Sequence, residues 1–185
     1  MEAFLVSAVV VGLAEIGDKT QILALVLAAR FQRPLPIIAG ILFATLANHA
    51  VAGLAGALFG SLLAGPWLRW VLGLSFLAVA GWTLVPDSYT GEAPTIGRAG
   101  AFATTLLAFF VVENGDKTQL ATIGLAARFG QLYAVVLGTT FGMMLADIPV
   151  VLIGRRLADR VPVQPIRAVA AAVFAALGLA TLLAG

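Results

Sequence analysis

The sequence predicts an all-α integral membrane protein, six transmembrane helices arranged as two inverted three-helix repeats. Three observations carry this: a lipid-solvated composition, six apolar stretches of spanning length, and a motif that recurs at a fixed offset. Of the 185 residues 61% are apolar and 11% are charged, against about 45–50% and about 25% in soluble domains. A hydrocarbon core about 30 Å thick requires about 20 apolar residues per helix, and short connections between the stretches leave no room for a soluble domain. Cysteine is absent, which removes disulfide frameworks, zinc–thiolate sites and thiol nucleophiles. The net charge of +2 comes from scattered arginines and not from a basic block, so the lipid bilayer is an expected partner and nucleic acid is not.

In chain order, hydropathy places spans near residues 3–29, 36–62, 67–85, 100–127, 132–154 and 164–184. The first begins without a basic n-region or a small-residue cleavage site, so it reads as a spanning helix and not as a signal peptide. Breakers mark the boundaries: two arginines and two prolines within residues 30–36, Gly65-Pro66, and a run of Pro, Asp, Gly and Glu over residues 86–98. Residues 1–86 thus form one three-helix repeat, residues 87–98 a linker and residues 99–185 the second repeat. Arg30, Arg33, Arg98, Arg155, Arg156, Arg160 and Arg167 fall in the loops after spans one, three and five, with only Arg69 and Arg128 opposite. Short cytoplasmic loops hold the excess of basic residues, which puts the first group in the cytoplasm and both termini outside it. Trp67, Trp70, Trp82 and Tyr89 lie near span ends and read as an interfacial belt.

The repeat appears when the chain is slid by 98 residues, laying Glu15-Ile16-Gly17-Asp18-Lys19-Thr20-Gln21 on Glu113-Asn114-Gly115-Asp116-Lys117-Thr118-Gln119 with six of seven positions identical. The match resumes at Leu27 to Phe31 over Leu125 to Phe129, at Gly40 over Gly138 and at Phe43 over Phe141. Each copy holds three spans, an odd number, so the second enters the membrane from the opposite side and the two motifs meet near the midplane about a pseudo-two-fold axis.

Glu15 and Glu113 lie about a dozen residues into their spans, which at about 1.5 Å per residue is close to the bilayer centre. With Asp18, Lys19, Asp116, Lys117 and Asp147 they make seven ionisable groups at membrane depth. At about 3 kcal/mol each they would cost on the order of 20 kcal/mol facing lipid, so they face each other or water. On a continuous helix Glu15, Asp18 and Lys19 share one arc, with Gln21 beside Asp18. Converging oxygen ligands are what hard divalent cations require, which makes Glu15, Asp18, Gln21, Glu113, Asp116 and Gln119 the candidate metal ligands. Four motif carboxylates and two lysines sum to −2, the charge a divalent cation neutralises. The alternative is an interhelical salt-bridge cluster that only sets the register of the bundle. Lys19 and Lys117 read as constant counter-charges, releasable tethers, or partners of Asp18 and Asp116, the last being favoured, while Thr20 and Thr118 join the pathway. Gly17 and Gly115 either weaken the helix or let backbones approach closely.

A second tier lies on spans two and five, where the same offset places Asn48 on Ala146 and His49 on Asp147. His49 reads as a metal ligand, a proton carrier or a packing hydrogen bond. Asp147 precedes Pro149, whose missing N–H frees the carbonyl of Leu145 for water or a cation. Met143 and Met144 fill gaps in the core, or supply a thioether that favours Mn²⁺ over Ca²⁺.

A duplicated Glu-x-Gly-Asp-Lys-Thr on the first and fourth of six spans resembles the Gdt family of cation transporters, also called the transmembrane-protein-165 family, and the resemblance covers nearly the whole chain. Its members are understood as Mn²⁺ and Ca²⁺ transporters that exchange the cation for protons, those of this size as bacterial manganese exporters. The resemblance implicates Glu15, Gly17, Asp18, Lys19 and Thr20 with Glu113, Gly115, Asp116, Lys117 and Thr118; Asn114 stands where an apolar residue is common. It implies a bacterial inner membrane, Mn²⁺ or Ca²⁺ as transported substrate, protons as counter-substrate and no resident cofactor.

The mechanism that follows is alternating access about a shared midplane site. Carboxylates withdrawn from water favour their neutral form, so an empty site holds protons that an arriving cation displaces. An intramembrane enzyme of the lipid-pyrophosphate phosphatase type would need a phosphate-binding cluster. The arginines sit outside the spans, no Ser/His pair accompanies the acids, and Gly-Asp-Lys-Thr lacks the Gly-x-x-x-x-Gly-Lys loop. A small-solute exporter of the lysine-exporter type would not need so many buried charges, and a passive cation channel lined by the same acids is separated from a carrier by saturation of flux.

Overall fold

The computed structural model describes residues 1–63, 66–86, 100–153 and 162–183, and among them every regular element is helical. Eight helices follow in order: α1 (Glu2–Glu15), α2 (Lys19–Phe31), α3 (Pro34–Leu62), α4 (Pro66–Thr83), α5 (Ala101–Glu113), α6 (Lys117–Phe129), α7 (Leu132–Ile153) and α8 (Val163–Leu183). Three of these, α3, α7 and α8, are each long and apolar enough to cross a membrane, and α4 and α5 are shorter apolar helices. The linker expected at residues 87–98, with Tyr89, Arg98, Arg155, Arg156 and Arg160, lies outside the described residues.

The stretches read as continuous first and fourth spans are instead broken helices. In each, the chain leaves helical geometry for three residues. Ile16 and Asn114 turn extended, Gly17 and Gly115 take φ +80°, and Asp18 and Asp116 are extended again as the next helix begins. The positive φ explains the two glycines, because a Cβ makes that region costly for other residues. This corrects the expectation that Glu15, Asp18 and Lys19 share one helical arc. They straddle a break, and the carboxyl end of one half-helix meets the amino end of the next.

Each broken helix lies along the unbroken helix of the other half and runs in the same direction. Beside α3, Gly40 meets Phe102 and Thr105 of α5, and Gly60 meets Ala127 of α6. Beside α7, Gly138 meets Phe4 and Ser7 of α1, while Leu23 and Leu27 of α2 share an apolar core with Val150. Backbones touch at these crossings: a Cβ on Gly12 would stand 3.2 Å from the carbonyl oxygen of Gly142. Small residues are how helices gain dispersion contact where lipid removes any hydrophobic drive to associate. The same economy joins α4 to α8 through Gly73 and Gly178.

The contacts recur at the offset of 98 residues. Phe4 packs on Phe141 and Phe102 on Phe43; Gly138 receives Phe4 and Ser7 as Gly40 receives Phe102 and Thr105; Thr45 touches Met143, its own counterpart. In the pairing of helices, the third helices depart from this. α4 lies against α6 and α8 against α1, whereas an exact exchange of halves would put α8 against α2.

The surface is apolar, and the charged side chains lie inside beside an apolar core. Leu5, Leu54, Leu58, Leu107, Val111 and Leu152 are exposed, while Glu15, Asp18, Glu113, Asp116, Lys117 and Asp147 are buried. Charges placed inside and aliphatic side chains outside suit a protein whose solvent is hydrocarbon. Trp67, Trp70 and Trp82 are exposed, as a belt requires.

Candidate functional site

Where a helix stops, its last carbonyls and the next helix's first amides need partners. Both breaks solve this in the same way. The N–H of Asp18 donates to the carbonyl of Glu15 at 3.0 Å, and that of Asp116 to Glu113 at 3.1 Å. The N–H of Gly17 donates to Gln21 Oε1 at 2.9 Å, and that of Gly115 to Gln119 Oε1 at 2.8 Å. The two glutamines expected among the metal ligands therefore spend an oxygen on holding the break open. Gln21 also donates to the carbonyl of Ala146 at 3.2 Å, and Gln119 to Asn114 Oδ1 at 3.4 Å.

With the backbone so arranged, the motif charges pair across the two halves. Lys117 Nζ lies 2.5 Å from Asp18 Oδ1, and Lys19 Nζ lies 3.6 Å from Asp116 Oδ1. The pairs are counterparts at the repeat offset but not equals: Lys117 is 1% exposed and Lys19 25%. Asp116 also accepts from the backbone N–H of Lys117 at 2.7 Å. Each lysine thus stands beside the aspartate of the opposite motif, an arrangement common to a partner, a counter-charge and a tether.

Three buried carboxyl groups, those of Glu15, Glu113 and Asp147, make no salt bridge among the described residues, although Glu113 lies within electrostatic reach of Lys19. Glu15 accepts from the hydroxyl of Thr20 through Oε1, and its Oε2 has no partner. Glu113 is held from α3, where Thr45 donates to Oε1 and Asn48 to Oε2, each at 2.9 Å. The counterparts of those donors are Met143 and Ala146, which cannot donate, so Glu15 falls back on Thr20 within its own motif. Thr118, the counterpart of Thr20, is buried with its hydroxyl unpartnered. Asp147 is 0% exposed, neither of its oxygens is bonded, and it lies within electrostatic reach of both Glu15 and Glu113. An uncompensated carboxylate is excluded from a low-dielectric interior, so three such groups must share protons or a cation.

His49 is buried, its Nδ1 3.4 Å from the hydroxyl of Thr140; Pro149 stands inside α7 two residues after Asp147. No three acidic or histidine side chains among the described residues stand close enough to hold a metal by themselves. An ion at this site would complete its shell with hydroxyl, amide or water oxygens.

Two contributors escaped the sequence. Thr45 lies on the face of α3 that carries Asn48 and His49, about one turn away, and the period alone could have found it. Arg167, counted as a cytoplasmic loop residue, is the fifth residue of α8, and its Nη2 donates to the carbonyl of Gly17 at 2.6 Å. Not all the arginines therefore sit outside the helices. The repeat offset would have flagged it, since it lays Arg167 on Arg69. Against Gly17 the amino end of α8 packs closely through Val163, whereas a Cβ on Gly115 would meet nothing and Asn114 and Gly115 are exposed. One break is covered and the other is open.

Comparison with known proteins shows what the chain is similar to. Residues 3–91 and 101–185 match the sequence profile of a family described as "Divalent cation/proton antiporter GDT1". A Vibrio cholerae serotype O1 protein named "Putative manganese exporter" is 49% identical over 182 residues, covering 98% of this chain and 90% of that one. Two Arabidopsis thaliana proteins, GDT1-like protein 5 and GDT1-like protein 4, are 27% and 28% identical, covering 99% and 87% of this chain and 96% and 86% of theirs. No solved structure matches the chain.

Proposed function

The chain belongs to the GDT1 family of divalent cation/proton antiporters, and from that premise we propose that it exports Mn²⁺ from the cytoplasm across a bacterial inner membrane in exchange for protons. It is a transporter and not an enzyme. Manganese is the ion named for the Vibrio relative, and Ca²⁺ is the alternative substrate.

The carrying observation is the set of three buried carboxyl groups that make no salt bridge among the described residues, beside two aspartate–lysine pairs whose charges cancel. Glu15, Glu113 and Asp147 can be neutralised by three protons, or by one divalent cation and one proton. Exchange of one M²⁺ for two H⁺ leaves the interior equally neutral in both loadings, which is the condition for crossing a low-dielectric region. Asp18 and Asp116 are already charge-paired, and Asp116 keeps a buried Oδ2 without a hydrogen-bond partner that an entering cation could use. Thr20, Thr45 and Asn48 stand ready as neutral oxygen donors, the kind that Mn²⁺ accepts beside carboxylates.

The topology in this reading is six spans in two inverted repeats, with α1–α2 and α5–α6 each a single broken span. Three facts support it. Broken and unbroken helices of opposite halves run in the same direction, the ion pairs are exchanged between halves, and Thr45 touches its own counterpart. Contacts shared in this reciprocal way are those a two-fold relation produces. The bias of arginines puts both termini outside the cytoplasm.

The test is flux of Mn²⁺ and Ca²⁺ in proteoliposomes under an imposed pH gradient, for the native protein and for Glu15→Gln and Glu113→Gln. Gradient-driven flux that both substitutions abolish supports the exchanger and names its ion. Flux indifferent to the gradient removes proton coupling, and variants that behave like the native protein make the acidic motifs structural.

A further inference from the structure

The breaks differ in one respect. The carbonyl of Gly17 is bonded by Arg167, whereas the carbonyl of Gly115 accepts from no arginine among the described residues. Arg69, the counterpart of Arg167, stacks over Trp70 with its guanidinium carbon 6.0 Å from the ring centroid, and its buried Nε has no partner. Farther along α8, Arg128 Nη1 donates to the carbonyl of Leu177 at 3.1 Å and to the hydroxyl of Thr181 at 2.7 Å. The matching receptor on α4 is already formed: Thr83 donates to Val79 at 2.8 Å as Thr181 donates to Leu177 at 2.6 Å.

Arg167 thus ties the amino end of α8 to the break after α1 and Arg128 ties a later turn of α8 to the end of α6, and the 98-residue counterparts of these contacts describe a second arrangement. In it the joined pair α4–α8 has moved from α6 and α1 to α5 and α2, Arg69 bonds the carbonyl of Gly115, and Arg30 faces Val79 and Thr83. We propose that Arg167 and Arg69 are the two latches of the transport cycle, each closing one break by bonding its glycine carbonyl while the other is released. The inference rests on the antiporter reading above. A charge-assisted bond to a carbonyl that has no helical partner is strong enough to set which arrangement prevails, and equal bonds in the two arrangements keep the exchange near balance. Only a glycine at φ +80° lets the chain turn this carbonyl outward, so the broken helix supplies both the ion site and the catch for its gate.

The chain contains no cysteine, so introduced pairs report without background. Val6→Cys with Leu177→Cys joins residues that line one crevice between α1 and α8 in this structure. Thr104→Cys with Val79→Cys is its counterpart across α5 and α4, helices that are not packed together here. Oxidation in liposomes traps even a minor state, so both pairs should form disulfides in the otherwise native protein. Arg69→Ala, which removes no hydrogen bond seen here, should lower the rate of the second pair by about tenfold or more and spare the first. Arg167→Ala should do the reverse. A second pair that never forms, or that forms equally fast with and without Arg69, overturns the proposal. Because the readout is proximity and not flux, latches that fail while pH-driven Mn²⁺ flux persists sink this inference alone. Absent flux with intact exchange of the pairs sinks the antiporter reading instead.

Discussion

Replacing Lys117 with methionine keeps most of the side-chain volume and removes one charge, taking from Asp18 its 2.5 Å ion pair in a site that excludes water. Asp18 is 0% exposed and its ion pair with Lys117 spans 2.5 Å. Breaking a buried pair from one side costs about 3–5 kcal/mol. A second route gives a bound: Asp18 can escape its charge by taking a proton, which from an ordinary aspartate value of about 3.9 costs about 4 kcal/mol at pH 7. That ceiling falls by about 1.4 kcal/mol for each pH unit of acidification, so the variant should be least stable at high pH and recover towards pH 5. Lys19→Met removes the counterpart charge, yet that pair spans 3.6 Å with Lys19 a quarter exposed, and Asp116 keeps the bond from the N–H of Lys117. Its cost should stay near 1 kcal/mol or below. Thermal unfolding in detergent, followed by the amount of monodisperse protein, should drop by about 10 °C for Lys117→Met and about 2 °C for Lys19→Met, using about 2–4 °C per kcal/mol at this chain length. Asp18→Asn combined with Lys117→Met should restore most of the loss. Equal shifts for the two lysines, or a Lys117→Met deficit indifferent to pH, would refute the argument from burial.

Two further outcomes follow from the geometry. Gly17→Ala and Gly115→Ala each force a Cβ into φ +80° at a cost of about 1–2 kcal/mol; Gly17→Ala also drives that Cβ into Val163, whereas the space at Gly115 is empty, so the first should unfold at the lower temperature, and matched midpoints would contradict the covered break. Asp147→Asn removes a buried acid with no bonded oxygen, so stability should hold within about 1 kcal/mol or rise while pH-driven flux falls to that of empty liposomes; retained flux would take Asp147 out of the pathway.

The membrane-embedded helical fold was legible because it follows from sums over many residues. Hydrocarbon solvation demands long apolar stretches wherever they fold, and the offset of 98 residues exposes duplication without coordinates. The ionic motifs were legible for the same reason, since a charge buried in lipid must be met by another group wherever the chain goes. Ile16-Gly17-Asp18 was harder to read. A glycine inside an apolar run is compatible with a continuous helix, and what decides for the break is the set of partners available to the freed backbone groups: Gln21, Gln119 and, across 150 residues of chain, Arg167.

Composition, periodicity and repetition determined that this protein lives in a bilayer, that one acidic motif recurs at an offset of 98 residues and that its acids are buried. Tertiary structure alone decided which acids are neutralised and which are not. Asp18 and Asp116 form ion pairs with lysines of the opposite half, while Glu15, Glu113 and Asp147 form none among the described residues. Motifs alike at six of seven positions could not reveal that difference, because pairing depends on through-space distance between segments 98 residues apart. The covered break at Gly17 and the open one at Gly115 were equally out of reach of the sequence. Two copies of one motif are equivalent until the third helices pack against one side, and close packing admits only one such arrangement at a time.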